Sequence, residues 1–328
     1  MATTFDPPTT APDGPSGGHG VGAPGDVLVP DRAALSPALE VSKRPTPFQR
    51  ISHLWQYREL VGNLTRKELK VKYKNSVLGF LWSLLNPLMY LVVFSLVFTI
   101  ISKVPVPYFG IFFLSGLLAW NLFSTGLGGG TSAIVSNAQL VTKVWFPREA
   151  LVIASILAGL VHFFLQSLVL IAALVVFQRT PDFEYAPIFV LALVVLLLLC
   201  TALAVALSAV NVYLRDTEHL LEVVLLAWFW LSAIAYNYGQ VAKELVDRWG
   251  SRGELVAALN PVLTVVITFQ RTLYNPDYGD SEERLVLPAH PYGWYVTHLA
   301  VAGAVSLVLL YGALALFSRL EDNFAEEI

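Results

Sequence analysis

The 328-residue sequence has a single cysteine, Cys200, and few charges: Asp, Glu, Lys and Arg together make up 14% of it. One thiol forms no intrachain disulfide, and Cys200 lies in a long apolar run, where a buried small hydrophobe is the plain reading. A net charge of -3 gives no general attraction to nucleic acid. No G-x-x-x-x-G-K-[ST] stretch occurs, which excludes ATP binding through a P-loop of this chain. His19, His53, His162, His219, His290 and His298 show no HExxH or comparable ligand spacing, so no metal is expected. Asp, Lys and Arg are missing from the centres of the apolar runs, and Glu222 stands near an edge. The carboxylate relay of a proton-driven pump is therefore absent, and energy must come from elsewhere. The N-terminus also lacks the basic stretch, apolar stretch and small-residue cleavage site of a secretory signal.

What is abundant is apolar surface. Hydrophobic residues are 55% of the chain, and the mean hydropathy of +0.62 exceeds what one water-soluble core can hide. Uncharged gaps locate the segments that meet lipid, because a crossing helix needs roughly 20 apolar residues and an ionised centre is costly. The gaps predict six spans, near 79–102, 108–128, 150–177, 187–210, 221–238 and 293–317. Residues 255–270 hold 16 uncharged positions, interrupted by Asn260–Pro261 and followed by Arg271, too few for a full crossing. Short re-entrant helices fit this piece, with an ordinary external loop carrying a core helix as the other reading. The expected fold is thus all-α integral membrane, with six transmembrane helices and re-entrant helices before the last.

Lys43, Arg44, Arg50, Arg58, Arg66, Lys67, Lys70, Lys72 and Lys74 precede the first span and Lys103 alone follows it, which predicts a cytoplasmic N-terminus. Six spans return the tail 321–328 to the same side, in an inner, multi-pass membrane setting. Residues 1–47, rich in Pro, Gly, Thr, Ala and Asp, read as a disordered tail that stays on the protein. Residues 48–76 read as an interfacial amphipathic helix: Leu54, Tyr57, Val61 and Leu64 follow 3/4 spacing, and basic residues crowd the other face. A solvated linker is the alternative, and the sequon Asn63-Leu64-Thr65 is accidental on that side of the membrane.

Aromatic residues supply the other pattern. Asn86, Tyr90, Phe94 and Phe98 recur every four residues, so one helical face carries a polar foot and a ladder of rings. Phe112, Phe113 and Trp120, with Trp228, Trp230, Tyr236 and Tyr238, can complete a lining on which sugars stack, or can serve lipid-facing packing and the interfacial belt. His162 and Gln166, one turn apart, line a polar path or bond between helices. Gly126, Gly128, Gly129 and Gly130 read as a flexible turn closing an apolar helix, not as a phosphate loop.

Four segments resemble one family. RELVGNLTRKELKVKYKNSVLGFLWSLLNP (58–87), LVTKVWFPREAL (140–151), NVYLRDTEHLLE (211–222) and NPVLTVVITFQRTLY (260–274) stand in the order found in ABC-2-type permeases, particularly polysaccharide exporters. The resemblance covers about 50–320 and includes the "K-x-x-F-P-R" and "N-x-x-x-R-D" loops and the external "N-P" segment. One departure is the end of the fifth span, FWLSAIAYNYG, which lacks the proline common in relatives.

The resemblance implies a homodimer, each copy bound to a separate cytoplasmic ATPase subunit that carries ATP and Mg, with no cofactor in this chain and no enzymatic activity. It implies a coupling helix near Ser136–Trp145, where Ser136 caps the start, Leu140, Val141, Val144 and Trp145 form an apolar edge, Lys143, Phe146 and Arg148 complete the motif, and Pro147 stops the helix. Arg215 and Asp216 pair beside it or cap a helix end. Arg66, Lys67, Lys70, Lys72 and Lys74 would meet a lipid pyrophosphate, or anionic headgroups, at the channel mouth. Asn260, Pro261 and Arg271 would mark the re-entrant exit. The substrate expectation is a lipid-linked polysaccharide, O-antigen, teichoic acid or cell-wall galactan, with a lean to galactan because no carbohydrate-binding domain is visible. The alternatives are a drug or small-molecule efflux permease and a membrane-embedded polyprenyl-phosphate glycosyltransferase, for which Glu149 and Asp216 stand isolated.

Overall fold

A computed structural model describes residues 55–76, 78–101, 106–250, 260–277, 286–287 and 289–328. The expected 1–47 tail and the start of the 48–76 helix lie outside the described residues. Every regular element described is helical: α1 (Arg58–Tyr73), α2 (Leu81–Leu96), continued by a wider π turn (Val97–Ile101), α3 (Phe109–Ser136), α4 (Ala138–Lys143), α5 (Glu149–Val176), α6 (Ala186–Tyr213), α7 (Thr217–Leu231), α8 (Tyr238–Trp249), α9 (Pro261–Leu273), α10 (Tyr292–Leu320) and α11 (Phe324–Glu327). Among these, α3, α5, α6 and α10 are long and apolar enough to cross a membrane.

Helix α3 is the hub. Most of it is buried, 83% of its most apolar window against 28% for α10, and it packs against α2, α5, α6, α7 and α9. Its glycines explain how so many neighbours fit. A Cβ on Gly130 would lie 2.7 Å from the Ala204 Cβ of α6, and one on Gly126 would lie 2.9 Å from the Cys200 sulfur. Residues 126–130 therefore form no turn. The helix runs through them to Ser136 because small residues let backbones approach closely where apolar burial alone gives no helix–helix attraction. At Gly126 and Gly130 such packing offsets the roughly 1 kcal/mol that an interior glycine costs a helix.

The fifth expected span also departs from the sequence reading. Helix α7 ends at Leu231, after 15 residues, and Ala233 takes a left-handed φ of 52°. Residues 232–235 are buried in protein, and the freed backbone is recovered by side chains: Asn260 Nδ2 donates to the Leu231 carbonyl at 3.1 Å, and Gln270 Nε2 to the Ala233 carbonyl at 3.3 Å. The interruption thus forms without a proline.

Helix α9 fills the space between α3 and α6. Asn260–Pro261 starts this helix instead of breaking one: the Asn260 side chain accepts from the amides of Val262 and Leu263, and Pro261 takes the first-turn position where no amide is needed. Residues 262–272 are all buried, Arg271 included, so α9 is a core helix with no lipid face.

Candidate functional site at the α1 end of the bundle

The ends of α3, α6 and α10 and the starts of α5 and α7 gather at one end of the bundle, with α1 laid against α5. Val61 and Leu64 of α1 are buried, Lys67 Nζ donates to Asn137 Oδ1, and Thr65 Oγ1 donates to the Ala154 carbonyl at 3.4 Å. The apolar stripe expected to meet the membrane surface is therefore used, at these two positions, against protein. The opposite face carries an open groove of about 650 Å³ lined by Asn63, Arg66, Lys67, Lys70, Val71 and Lys74. Four of the five expected phosphate-binding cations share it. Lys72 points elsewhere, and burial lowers its pKa from the ordinary lysine value. A concave strip with four cations suits a multiply charged oxyanion, because each ammonium or guanidinium brings donors as well as charge.

Where α1 turns into α2, Tyr73 Oη and Ser83 Oγ hydrogen-bond each other and both approach His162 Nδ1, at 3.0 and 3.3 Å. Gln166 Oε1 accepts from Asn121 Nδ2 at 3.1 Å. His162 and Gln166 therefore bond to neighbouring helices.

The segment after α3 differs in detail from a helix over Ser136–Trp145. Ser136 is the last residue of α3, Asn137 precedes α4, and α4 stops at Lys143. Asn137 bonds Lys67 and the Ala133 carbonyl instead of capping α4. Val144 is extended, with φ -132° and ψ 136°, and leaves Trp145 86% exposed. Of the expected apolar edge, Val141 is buried and Leu140 half-buried, while Val144 and Trp145 project outward. Phe146 is buried, Pro147 stands just before α5, and Arg148 Nη1 donates to the Glu321 carbonyl. Arg215 and Asp216 are exposed in the α6–α7 turn, and Asp216 precedes α7 without a side-chain cap bond. That turn is held by Asn211, whose Nδ2 donates to the Thr131 carbonyl of α3 at 3.2 Å and to Glu218 Oε1 at 2.7 Å. Leu214 and Leu220 flank the turn, both more than 60% exposed.

The expected lining residues separate into two groups. Asn86 and Tyr90 are exposed on α2. Phe94 stacks on Phe113 at 4.1 Å and Phe98 on Phe109 at 4.2 Å, so the lower ladder is the α2–α3 seam. Phe112 is fully buried against Tyr274, and Trp120 is buried against Phe123 and Phe229. These two residues, as packed, face no open path. Trp228 Nε1 donates to Asn260 Oδ1 at 2.9 Å, and Tyr236 is half-buried in the break after α7.

At the opposite end, Arg271 pairs with Asp182 at 2.8 Å and lies over the Tyr185 ring at 4.0 Å. Asn275 Nδ2 donates to the Thr180 carbonyl and Tyr274 Oη to the Pro107 carbonyl, which ties α9 to the loops before α3 and α6. The partners Asp182 and Tyr185 carried no signal in the sequence, since an acidic loop residue looks like any other until the fold brings it to Arg271.

The long apolar helices make the chain a membrane bundle, and the comparisons with known proteins give its class. The ABC-2 type transporter family matches residues 59–252. The O-antigen export system permease protein RfbA of Myxococcus xanthus is 32% identical over 278 residues, covering 85% of this chain and 98% of that protein. Two proteins of the same name from Klebsiella pneumoniae are 25% and 23% identical, each covering 82% of this chain and 94% of the relative. The chain belongs to the ABC-2 type transporter family and is a multi-pass membrane protein.

Proposed function

We propose that this chain is the membrane subunit of an ATP-driven exporter that moves a lipid-linked polysaccharide from cytoplasm to exterior. Its work is passage, and covalent chemistry belongs to a separate ATPase subunit holding ATP and Mg. The relatives' role in O-antigen export supports the substrate class; a cell-wall galactan suits the same chemistry. The single observation that carries the coupling assignment is Trp145, 86% exposed beside Val144 on a short extended strip between α4 and α5. An exposed indole beside an apolar neighbour, close to a lysine and ahead of a buried phenylalanine, suits a surface that a partner covers.

Six crossings fit the bundle. Helix α2 and its π turn together rise about 30 Å, and the 15 residues of α7 rise about 22 Å before the buried break. With the α1 end cytoplasmic, both termini lie inside, and α9 closes the exit side. The groove on α1 receives the lipid phosphate, and exposed Asn86 and Tyr90 mark the face of α2 turned to the second copy of a homodimer.

The test is co-purification of a co-expressed ATPase subunit with wild type, Trp145→Ala and Val144→Asp, followed by ATP hydrolysis in nanodiscs. Loss of the complex by folded variants is the expected result. Full binding by both variants would remove the coupling assignment.

A further inference from the structure

Helix α10 ends in an arrangement that the transport reading does not use. The last-turn carbonyls of a helix have no partners within it; here one side chain takes the last of them, and a second reaches the carbonyl of the residue after it, which also accepts from the Phe324 amide. Tyr213 Oη, at the end of α6, donates to the Leu320 carbonyl at 2.8 Å, and Arg148 Nη1, at the start of α5, donates to the Glu321 carbonyl. The chain then folds back through a short 3₁₀ turn (Glu321–Asn323) into α11, whose Phe324 is fully buried. The Phe324 ring meets Phe317 at 5.4 Å and Tyr213 at 6.2 Å, and the Arg148 guanidinium lies over it at 5.5 Å. Ile328 packs against the core as well.

Arg148 and Tyr213 each sit beside one of the two exposed strips described above. Arg148 follows Val144–Trp145 by a few residues, and Tyr213 immediately precedes Leu214 and the Arg215–Asp216 turn. The same eight-residue C-terminal piece therefore grips the roots of both strips. We propose that segment Glu321–Ile328, through Phe324, is a positioning element that fixes the two loops against each other for docking of the ATPase subunit. The inference rests on the coupling assignment made above. Its physical basis is that a cationic side chain over a ring, with a charge-assisted bond to a carbonyl, holds the guanidinium in one place, whereas an arginine facing water explores many rotamers.

The experiment uses the full chain in nanodiscs. Cys200 is buried, so a thiol-reactive spin label reports from an introduced cysteine alone. Lys143→Cys places the label beside the first strip, and Glu184→Cys places a control label at the opposite end. In Phe324→Ala the label at 143 is expected to become more mobile and the one at 184 to stay as in wild type. ATPase-subunit affinity should fall roughly tenfold, with Phe324→Leu in between because it fills the space without a ring. A mobility change at both labels would mean general loosening and would overturn the positioning role, as would wild-type mobility at 143. A wild-type chain that binds no ATPase subunit would remove the coupling assignment instead, and the two label signals would still report whether Phe324 orders this end.

Discussion

At the residue scale, the clearest distinctions lie among the glycines of α3. Gly128 and Gly130 are two positions apart, yet a Cβ on Gly128 meets nothing within 4 Å and one on Gly130 meets Ala204 and Val152. Gly130→Val should therefore destabilise the bundle by about 1–3 kcal/mol through overpacking. Gly128→Ala should be neutral or stabilising by up to about 1 kcal/mol through helix propensity. Thermal unfolding in detergent reads both, and equal effects would contradict the α3–α6 contact. In the sequence these residues look alike, a run of breakers after an apolar stretch. Their difference depends on what lies opposite, which no local pattern records. The same limit hid the inward turn of Leu140 and Val141: the "K-x-x-F-P-R" motif was legible, but its outward face was set by tertiary packing. Asn260–Pro261 was legible in kind, since Asn and Pro are the preferred first residues of a helix, but the pair reads equally as an interruption.

At the element scale, the ends of the long helices were readable to within a few residues wherever a charge closes the gap. Glu149 opens α5, and Arg319 stands in the last turn of α10. Where no charge marks the boundary the reading drifted, as at the end of α3 and in the break after α7, whose cause is one positive φ and a distant asparagine. Helix α1 shows a related division of labour: its apolar positions are spent on α5, which leaves the basic groove facing outward. Lys70→Glu combined with Lys74→Glu reverses two of four charges in that groove, and binding of a fluorescent polyprenyl pyrophosphate should weaken by roughly tenfold or more at low salt. The difference from wild type should shrink as salt rises. Binding insensitive to both the charges and the salt would move the lipid-phosphate site elsewhere.

At the scale of the whole molecule, the two ends have different characters. One carries the cationic groove of α1 and exposed apolar strips; the other is tied together by Arg271, Asp182 and a group of tyrosines. The six crossings proposed above make a definite pattern of accessibility. A membrane-impermeant maleimide applied to intact cells should label Glu184→Cys and Lys243→Cys, and should reach Lys143→Cys and Arg215→Cys only after the membrane is opened. Labelling of Arg215→Cys and Lys243→Cys from the same side would mean that α7 does not carry the chain across.

The burial of residues 262–272 separates α9 from the bilayer in which the bundle sits. Helices α5 and α10 present long apolar faces to lipid, so they must tilt or shift when hydrocarbon thickness changes, at a cost of fractions of a kcal/mol per Å. Helix α9 touches only protein and is pinned at Asn260 and Arg271. Its position is set by the fold and not by the thickness of the surrounding lipid. A cell that remodels its lipids with temperature or growth phase would thus alter the tilt of the outer helices while the inner plug kept the same shape.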